Sequence, residues 1–525
     1  MKICIILLAT ALLASCTVNT TQSSKKPKQK EQKKLSPLPV KKRKMLTISL
    51  KDAKSDAKNF PIRTGIPFPK GILKSAKNIC LWNADRTKQI PADVKLVSSW
   101  KDGSARWIQL CFQADVFKNK KELDKVILEY GGDTRPLPPA KGKRISVCQT
   151  ANGLSVNAGK LKVDFENMGN EFIKKLYYDL DNDGEFSGLE QVLSEKGASN
   201  NLKAFRKSAN SIDMLKSSID KIEVEEAGKI QATIKISGNY MFKDKAVAGF
   251  IIRCYFYYGK GFFRFDHVLT YKSDPEKDFI SDLNIRFNLK PEFINKAFFG
   301  KKEYKNVEVA VLQDWWNRFK ISGKDNKLLE TGDKFKGCAS VLSKPKKDLR
   351  ISFFVKNFWE KYPKAISVST NSVEIGLWPG RLNRLLDLRR YSDTIYTEVP
   401  DLETHPTGLS RSAQGVAIYN KFFIDFSHIA FPMKNIDGLT SLLFESPVPC
   451  FSPEWLRKTD VFGNFDHEIQ KNWPRLWNKM KLFARWHKAN QKEFGWYGML
   501  DFGDWRSRYY FDHWAIYGRH GWANN

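Results

Sequence analysis

The chain has 525 residues, too many for one hydrophobic core, and its 42% hydrophobic content excludes a mostly disordered protein, so two to four domains are expected. A formal charge of +31 raises nucleic acid as a partner, yet much of the excess lies between Lys25 and Lys44, where Glu31 is the one acid. No P-loop, GxGxxG, HExxH or GxSxG motif occurs, so nucleotide-dependent and serine-hydrolase chemistries are not supported.

Lys2 precedes an apolar run, Ile3 to Leu13, that is too short to span a bilayer permanently and ends in Leu13-Ala14-Ser15-Cys16. This ending resembles a bacterial lipobox, which implies a signal peptide over 1–16 and a lipid on Cys16; the alternative is an ordinary signal peptide cleaved nearby. Residues 17–45, rich in Lys and Pro, read as a solvated tether, and the expected location is the bacterial cell envelope, periplasmic or surface-exposed. For an exported protein, the remaining positive charge favours an acidic polysaccharide over nucleic acid as partner. Cys80, Cys111, Cys148, Cys254, Cys338 and Cys450 form no CxxC pair, which argues against zinc; they read as small buried hydrophobes, with one long-range bridge left open.

From 46 to 137 short apolar or alternating runs separated by turn signals predict β-structure. Three motifs stand out: Gly65-Ile66-Pro67-Phe68-Pro69-Lys70-Gly71, Gln89-Ile90-Pro91-Ala92-Asp93-Val94, and Trp100-Lys101-Asp102-Gly103-Ser104-Ala105-Arg106-Trp107. In the last, Asp-Gly predicts a hairpin turn between two strands. Pro136 to Lys143 reads as a linker, and 145–431 returns to β patterning suited to a large sandwich, with Asn201 to Asp213 read as a surface insertion. After Pro453 apolar residues recur at helical spacing through Trp486, with Asp466 as a cap and Gly495 as a stop.

Asp179-x-Asp181-x-Asp183-Gly184, with Glu190 at the twelfth position, matches the ligand spacing of a calcium loop. Asp179, Asp181, Asp183, Glu185 (through its carbonyl), Ser187 and Glu190 are the candidate ligands of a structural Ca²⁺; the alternative is a solvated acidic hairpin tip. Its upstream flank reads as strand as readily as helix.

The three motifs of the first β region, in that order, resemble the exo-rhamnogalacturonan lyase (YetA-like) family of the polysaccharide lyase family 26 type. The resemblance continues in Leu377-Trp378-Pro379-Gly380, Leu386-Asp387-Leu388-Arg389-Arg390-Tyr391 and Tyr517-Gly518-Arg519-His520-Gly521-Trp522. It implies a RIFT-type β-barrel over 46–137, a central β-sandwich over 145–431 and an α/α toroid beginning at 452–525. The fold class is thus multidomain and mainly β, with α at the C-terminus. Two or three helices fall short of a ring, so the chain is expected to be truncated relative to the family.

The family implies exo-acting β-elimination on the galacturonate–rhamnose backbone of pectin. Such chemistry needs a cation on the uronate carboxylate and a base for the C5 proton. Arg389, Arg390 and Tyr391 offer these types in one patch; an Arg389–Asp387 pair locking a bend is an equal reading. His405 with Arg411, and His513, Arg519 and His520, complete the catalytic candidates, second-shell packing being the alternative for the last histidines. Trp378, Trp496, Asp501, Asp504, Trp505, Tyr509 and Trp514 are the candidates for binding sugar, since flat rings stack on pyranoses and carboxylates accept from hydroxyls. Two other functions stay open: a non-catalytic glycan-binding lipoprotein, and a glycoside hydrolase using the Asp501 and Asp504 carboxylates.

Overall fold

A computed structural model of the protein describes residues 44–118, 124–132, 134–137, 142–166, 169–388, 413–430, 433–500 and 502. Cys16 and the tether up to residue 43 lie outside the described residues.

Period-two alternation builds the first domain. In Lys44–Lys51, Leu46, Ile48 and Leu50 turn inward while Met45 and Thr47 stay exposed. Two antiparallel sheets close around the core. One orders Val448–Cys450, Lys44–Lys51, Lys125–Tyr130, Ile79–Trp82 and Gln89–Ile90; the other Ala57–Pro67, Ala105–Val116 and Ala92–Ser99. The Asp-Gly hairpin forms as predicted. Gly103 takes φ +80°, and Trp100 N donates to Ser104 O at 2.8 Å. Trp100 Nε1 then donates to Phe68 O at 2.9 Å, tying two of the sequence motifs together.

Completion of this barrel comes from far along the chain. Val448–Cys450 adds the edge strand. Helix Pro453–Thr459, capped by Ser452 Oγ on Trp455 N at 3.2 Å, inserts Trp455 between Phe68 and Tyr130 at ring distances of 5.6 and 5.9 Å. The Trp455 indole N–H donates to Pro67 O at 3.1 Å. Removal of such a ring costs on the order of 3–5 kcal/mol. Residues 452–459 therefore belong to the barrel's packing, although helical periodicity alone grouped them with the later helices.

The sandwich contains a seventeen-stranded antiparallel sheet folded on itself. One face runs through Leu193–Arg206, Asp278–Leu289, Ser372–Trp378, Lys364–Val368 and Val309–Trp315. The opposing face runs through Gln231–Phe242, Lys245–Tyr257, Phe262–Tyr271, Ala417–His428 and Leu349–Val355. Rings interlock between them: Phe287 lies 6.5 Å from Phe265 and 5.4 Å from Phe353. Asn201 to Asp213 is no insertion. It spans the turn between strands Leu193–Arg206 and Ser211–Ala227, and its polar residues alternate with the buried Leu202 and Ala204.

Barrel and sandwich are joined at Asp93, from the second sequence motif. Its carboxylate accepts from Lys229 N at 2.9 Å, Ile230 N at 2.7 Å and Gln231 N at 3.2 Å. Helix Pro474–Glu493 buries none of its residues, and Leu476, Met480, Leu482, Phe483 and Trp486 are exposed. Gly495 follows it at φ +59°, as the stop signal predicts. Asp466 caps not this helix but the short turn before it, accepting from Glu468 N at 2.9 Å. The six described cysteines are free thiols, four of them buried.

His267 sits fully buried in the sandwich with both ring nitrogens unpartnered among the described residues. Burial, and then the nearby Lys364 charge, hold its pKa down to about 3. The folded value lies below the unfolded one, so this contribution to stability is complete above pH about 6.5 and is lost as pH falls. Urea unfolding should show the native chain losing about 2 kcal/mol more than His267→Leu between pH about 7.5 and about 5. Equal losses would contradict the assignment.

Candidate functional site

The outer face of the first sheet carries a cleft of about 520 Å³. Alternation places its lining. Along Asp278–Leu289, Leu283, Ile285, Phe287 and Leu289 enter the core, and Asp282, Asn284, Arg286 and Asn288 face outward. Antiparallel register then sets Asn201 opposite Asn284, Lys203 opposite Asp282, and Glu374 opposite Arg286. The polar row is connected. Asn201 Nδ2 donates to Asn284 Oδ1 at 3.0 Å, and Asn284 Nδ2 to Asp282 Oδ2 at 3.0 Å. Arg286 Nε donates to Glu374 at 3.0 Å, while Lys203 Nζ stands 3.9 Å from Asp282.

Asp282 also fixes the rim. Its Oδ1 accepts from Gly380 N at 3.0 Å, and a Cβ on Gly380 would lie 3.2 Å from Asp282 Cγ. Burial raises the Asp282 pKa, with the Gly380 N–H pulling it back. Arg381 follows on the rim, exposed and donating to Asn326 Oδ1 at 3.0 Å. The amide row offers donors and acceptors of the kind sugar hydroxyls use, and the cations Arg381, Arg286 and Lys203 stand in the cleft beside the acids Asp282 and Glu374.

Trp378 is no sugar platform. It is fully buried, and its indole N–H donates to Arg384 O at 2.9 Å, so it anchors the Pro379-Gly380 turn from inside. Trp496 is likewise buried, at 4% exposure, where the chain docks on the sandwich through Gly498 N to Glu360 O at 2.7 Å and Met499 N to Tyr362 O at 2.9 Å. These aromatic rings fill core, which overturns their reading as stacking surfaces. Arg389, Arg390, Tyr391, His405, Arg411, Asp501, Asp504, Trp505, Tyr509, His513, Trp514, Arg519 and His520 lie outside the described residues. The segment leading to the first of them is placed: Leu386 N donates to Ile280 O at 2.7 Å, beside the cleft's central strand. Asn201, Asn284, Arg286 and Asn288 were missed. Their signal was the spacing of Asn-x-Arg-x-Asn within an otherwise apolar strand, which marks one outward polar row.

The acidic loop is set between strands, its upstream flank being Lys175–Tyr178. Ligand oxygens of Asp179, Asp181 and Asp183 lie within 4.8 Å of one another. Gly184 takes φ +86°, and Asp183 Oδ1 accepts from Glu185 N at 2.7 Å. Asp179 is 4% exposed; its Oδ1 has no partner among the described residues, while its Oδ2 lies 3.3 Å from Lys160 Nζ. Glu190 departs from the predicted cage. Its oxygens accept from Leu180 N and Ser187 N, both at 2.8 Å, and from Ser187 Oγ at 3.1 Å. Glu190 and Ser187 thus brace the loop's own backbone.

Comparison with known proteins matches both β-domains to family models of a polysaccharide-active class. The family model described as the PcRGLX-like N-terminal RIFT barrel domain matches residues 47–123. The PcRGLX-like protein central beta sandwich domain matches residues 145–296. Residues 47–123 and 145–296 are thus two domains of the PcRGLX-like, rhamnogalacturonan lyase-like family. No curated protein matches the sequence. Among solved structures, an α-mannosidase from Enterococcus faecalis shares 9% identity at a TM-score of 0.40, covering 74% of this chain and 44% of that one. A putative aldose 1-epimerase from Klebsiella pneumoniae shares 9% at 0.30, covering 74% and 97%. A galactose mutarotase-like protein from Lactobacillus casei shares 7% at 0.28, covering 54% and 100%. The chain spans less than half the length of the mannosidase.

Asp282→Ala strips the acceptor from Gly380 N and Asn284 and should cost about 1–3 kcal/mol in urea unfolding. Arg381→Ala, at an exposed rim, should stay within about 0.5 kcal/mol of the native chain. The reverse order would mean that the rim is held by Arg381 instead.

Proposed function

We propose that the protein is an envelope-anchored polysaccharide lyase that cleaves a rhamnogalacturonan-type backbone by exo-acting β-elimination, tethered through a lipid on Cys16. The observation that carries this reading is the cleft itself: a row of amides for sugar hydroxyls, with Arg381, Arg286 and Lys203 set around it for a uronate carboxylate. Pairing the carboxylate with cations acidifies the adjacent C5–H. A base then takes that proton, the C4–O bond breaks with its electron pair leaving on oxygen, and a C4–C5 double bond forms. No water is consumed. Arg389, Arg390, Tyr391, His405, Arg411, His513, Arg519 and His520 are the residues assigned to the proton transfers and to the cationic clamp. Family membership supports the substrate class.

The test is incubation with a rhamnogalacturonan backbone, following the ultraviolet absorbance of the new conjugated double bond. Absorbance is expected, and Arg381→Ala should lower kcat/KM by about tenfold or more, as loss of a charge-assisted contact does. Reducing ends without absorbance would mean a hydrolase, and retention of polymer with neither would mean a binding protein.

The acidic loop is proposed to hold a structural Ca²⁺ through Asp179, Asp181 and Asp183. The buried, unpartnered Asp179 Oδ1 supports this reading, because a bare carboxylate oxygen away from water calls for a cation. Calcium at about one hundred times its Kd should add about 2.7 kcal/mol to unfolding stability, and Asp181→Ala should remove that gain. Stability indifferent to calcium in the native chain would refute the site.

A further inference from the structure

A second cavity, of about 570 Å³, opens where barrel meets sandwich, and its chemistry differs from that of the cleft. Cations come from both domains: Lys54 and Arg63 from the barrel, Arg264, Lys356 and Lys421 from the sandwich. Three are matched. Lys54 pairs with Glu445 at 3.1 Å and Arg63 with Glu226 at 3.0 Å. Arg264 grips Asp266, with Nε to Oδ1 at 2.8 Å, and lies 4.2 Å over the Tyr255 ring. Lys356 and Lys421 have no carboxylate in ion-pair reach among the described residues. They are neighbours, since Lys356 N donates to Lys421 O at 3.0 Å. The Lys356 ammonium has only the Phe444 carbonyl, and Lys421 Nζ stands 5.9 Å from the Tyr419 ring.

Asp52 and Glu445 line the same cavity, and Glu445 and Asp266 act on the two ammonium groups only at longer range. Two half-buried lysines with no ion pair among the described residues are thus an arrangement that a bound anion would relieve. Burial lowers both pKa values; for Lys421 the Arg264 charge adds to it, leaving a value of about 8. Phe60, Tyr255, Phe262 and Phe423 form an aromatic wall around the same space, each of them at most 9% exposed. Ligand sites of small molecules run from about 300 to 1,000 Å³, so one or two sugar rings are the right scale.

We propose that this cavity is a second carbohydrate subsite that holds a single carboxylated sugar ring, its carboxylate on Lys356 and Lys421 and its apolar face toward the aromatic wall. The choice of a uronate rests on the proposed acidic polysaccharide substrate; the demand for an anion rests on the lysines alone. Such a site, set at the domain junction and separate from the cleft, would retain a second uronate of the same polymer.

Galacturonate titrated calorimetrically into the full chain tests this, with galactose and inorganic phosphate as comparisons. Expected is galacturonate binding about tenfold or more tighter than galactose, weakened by a similar factor in Lys421→Met. Affinity should also drop about tenfold between pH about 7 and about 9.5 as Lys421 loses its proton. Lys356, Lys361, Arg264 and Asp266 are the other charges acting on Lys421, and burial raises the neighbouring Tyr255 and Tyr419 above that range. The pH arm needs no variant, and Lys356→Met repeats the test should Lys421→Met fold poorly. Binding unchanged in both lysine variants overturns the inference, as does phosphate binding as tightly as galacturonate. Absence of elimination by a chain that still binds galacturonate through Lys421 would overturn the lyase reading and leave this one standing.

Discussion

One carboxylate, that of Asp93, governs how the two β-domains meet. It receives three consecutive backbone N–H groups, Lys229 to Gln231, at the point where the chain begins a central sandwich strand. Bonds to a charged acceptor contribute about 1.5–3 kcal/mol each, and three sharing one acceptor fix direction as well as distance. The approach is so close that a Cβ on Gly228 would lie 2.3 Å from Asp93 Oδ2. Glycine is needed there for room. Glu226 adds a second tie, taking Arg63 and Gln109 from the barrel. Because the junction is fixed, residues from both domains can form one cavity with defined walls.

The two concave sites divide the work of recognition differently. In the sheet-face cleft most charges are already met, Arg286 by Glu374 and Lys203 near Asp282, so selectivity comes from the directional amides between them. At the junction the space is lined instead by aromatic rings and by two ammonium groups with no ion-pair partner among the described residues. Under the readings proposed above, an acidic sugar would be held through hydrogen bonds at one site and through charge at the other. The overall positive charge of the chain is consistent with steering a polyanion toward either.

Much of the architecture was legible because it depends on short-range signals. The Asp102-Gly103 turn, the alternation of Lys44–Lys51 and the stop at Gly495 each need only a few residues of context. The cleft was hidden because its partners are distant: Asn201 and Asn284 are 83 residues apart and meet only through register. Tryptophan misled for a different reason. A large ring serves a core and a sugar platform equally well, and Trp378 and Trp496 differ from a platform only in what covers them. Glu190 was assigned by spacing, which counts residues but does not report which way a carboxylate turns. The visible role of Trp378 is to hold the Pro379-Gly380 turn.

The late return of the chain to the barrel has a bearing on biogenesis. An edge strand at Val448–Cys450 and a core ring at Trp455 reach the barrel only after the whole sandwich has been synthesised. The first domain in sequence is therefore the last to be finished in space. While the sandwich is being made, an N-terminal sheet waits with an open edge and a gap in its core, the condition under which nascent chains pair wrongly or aggregate.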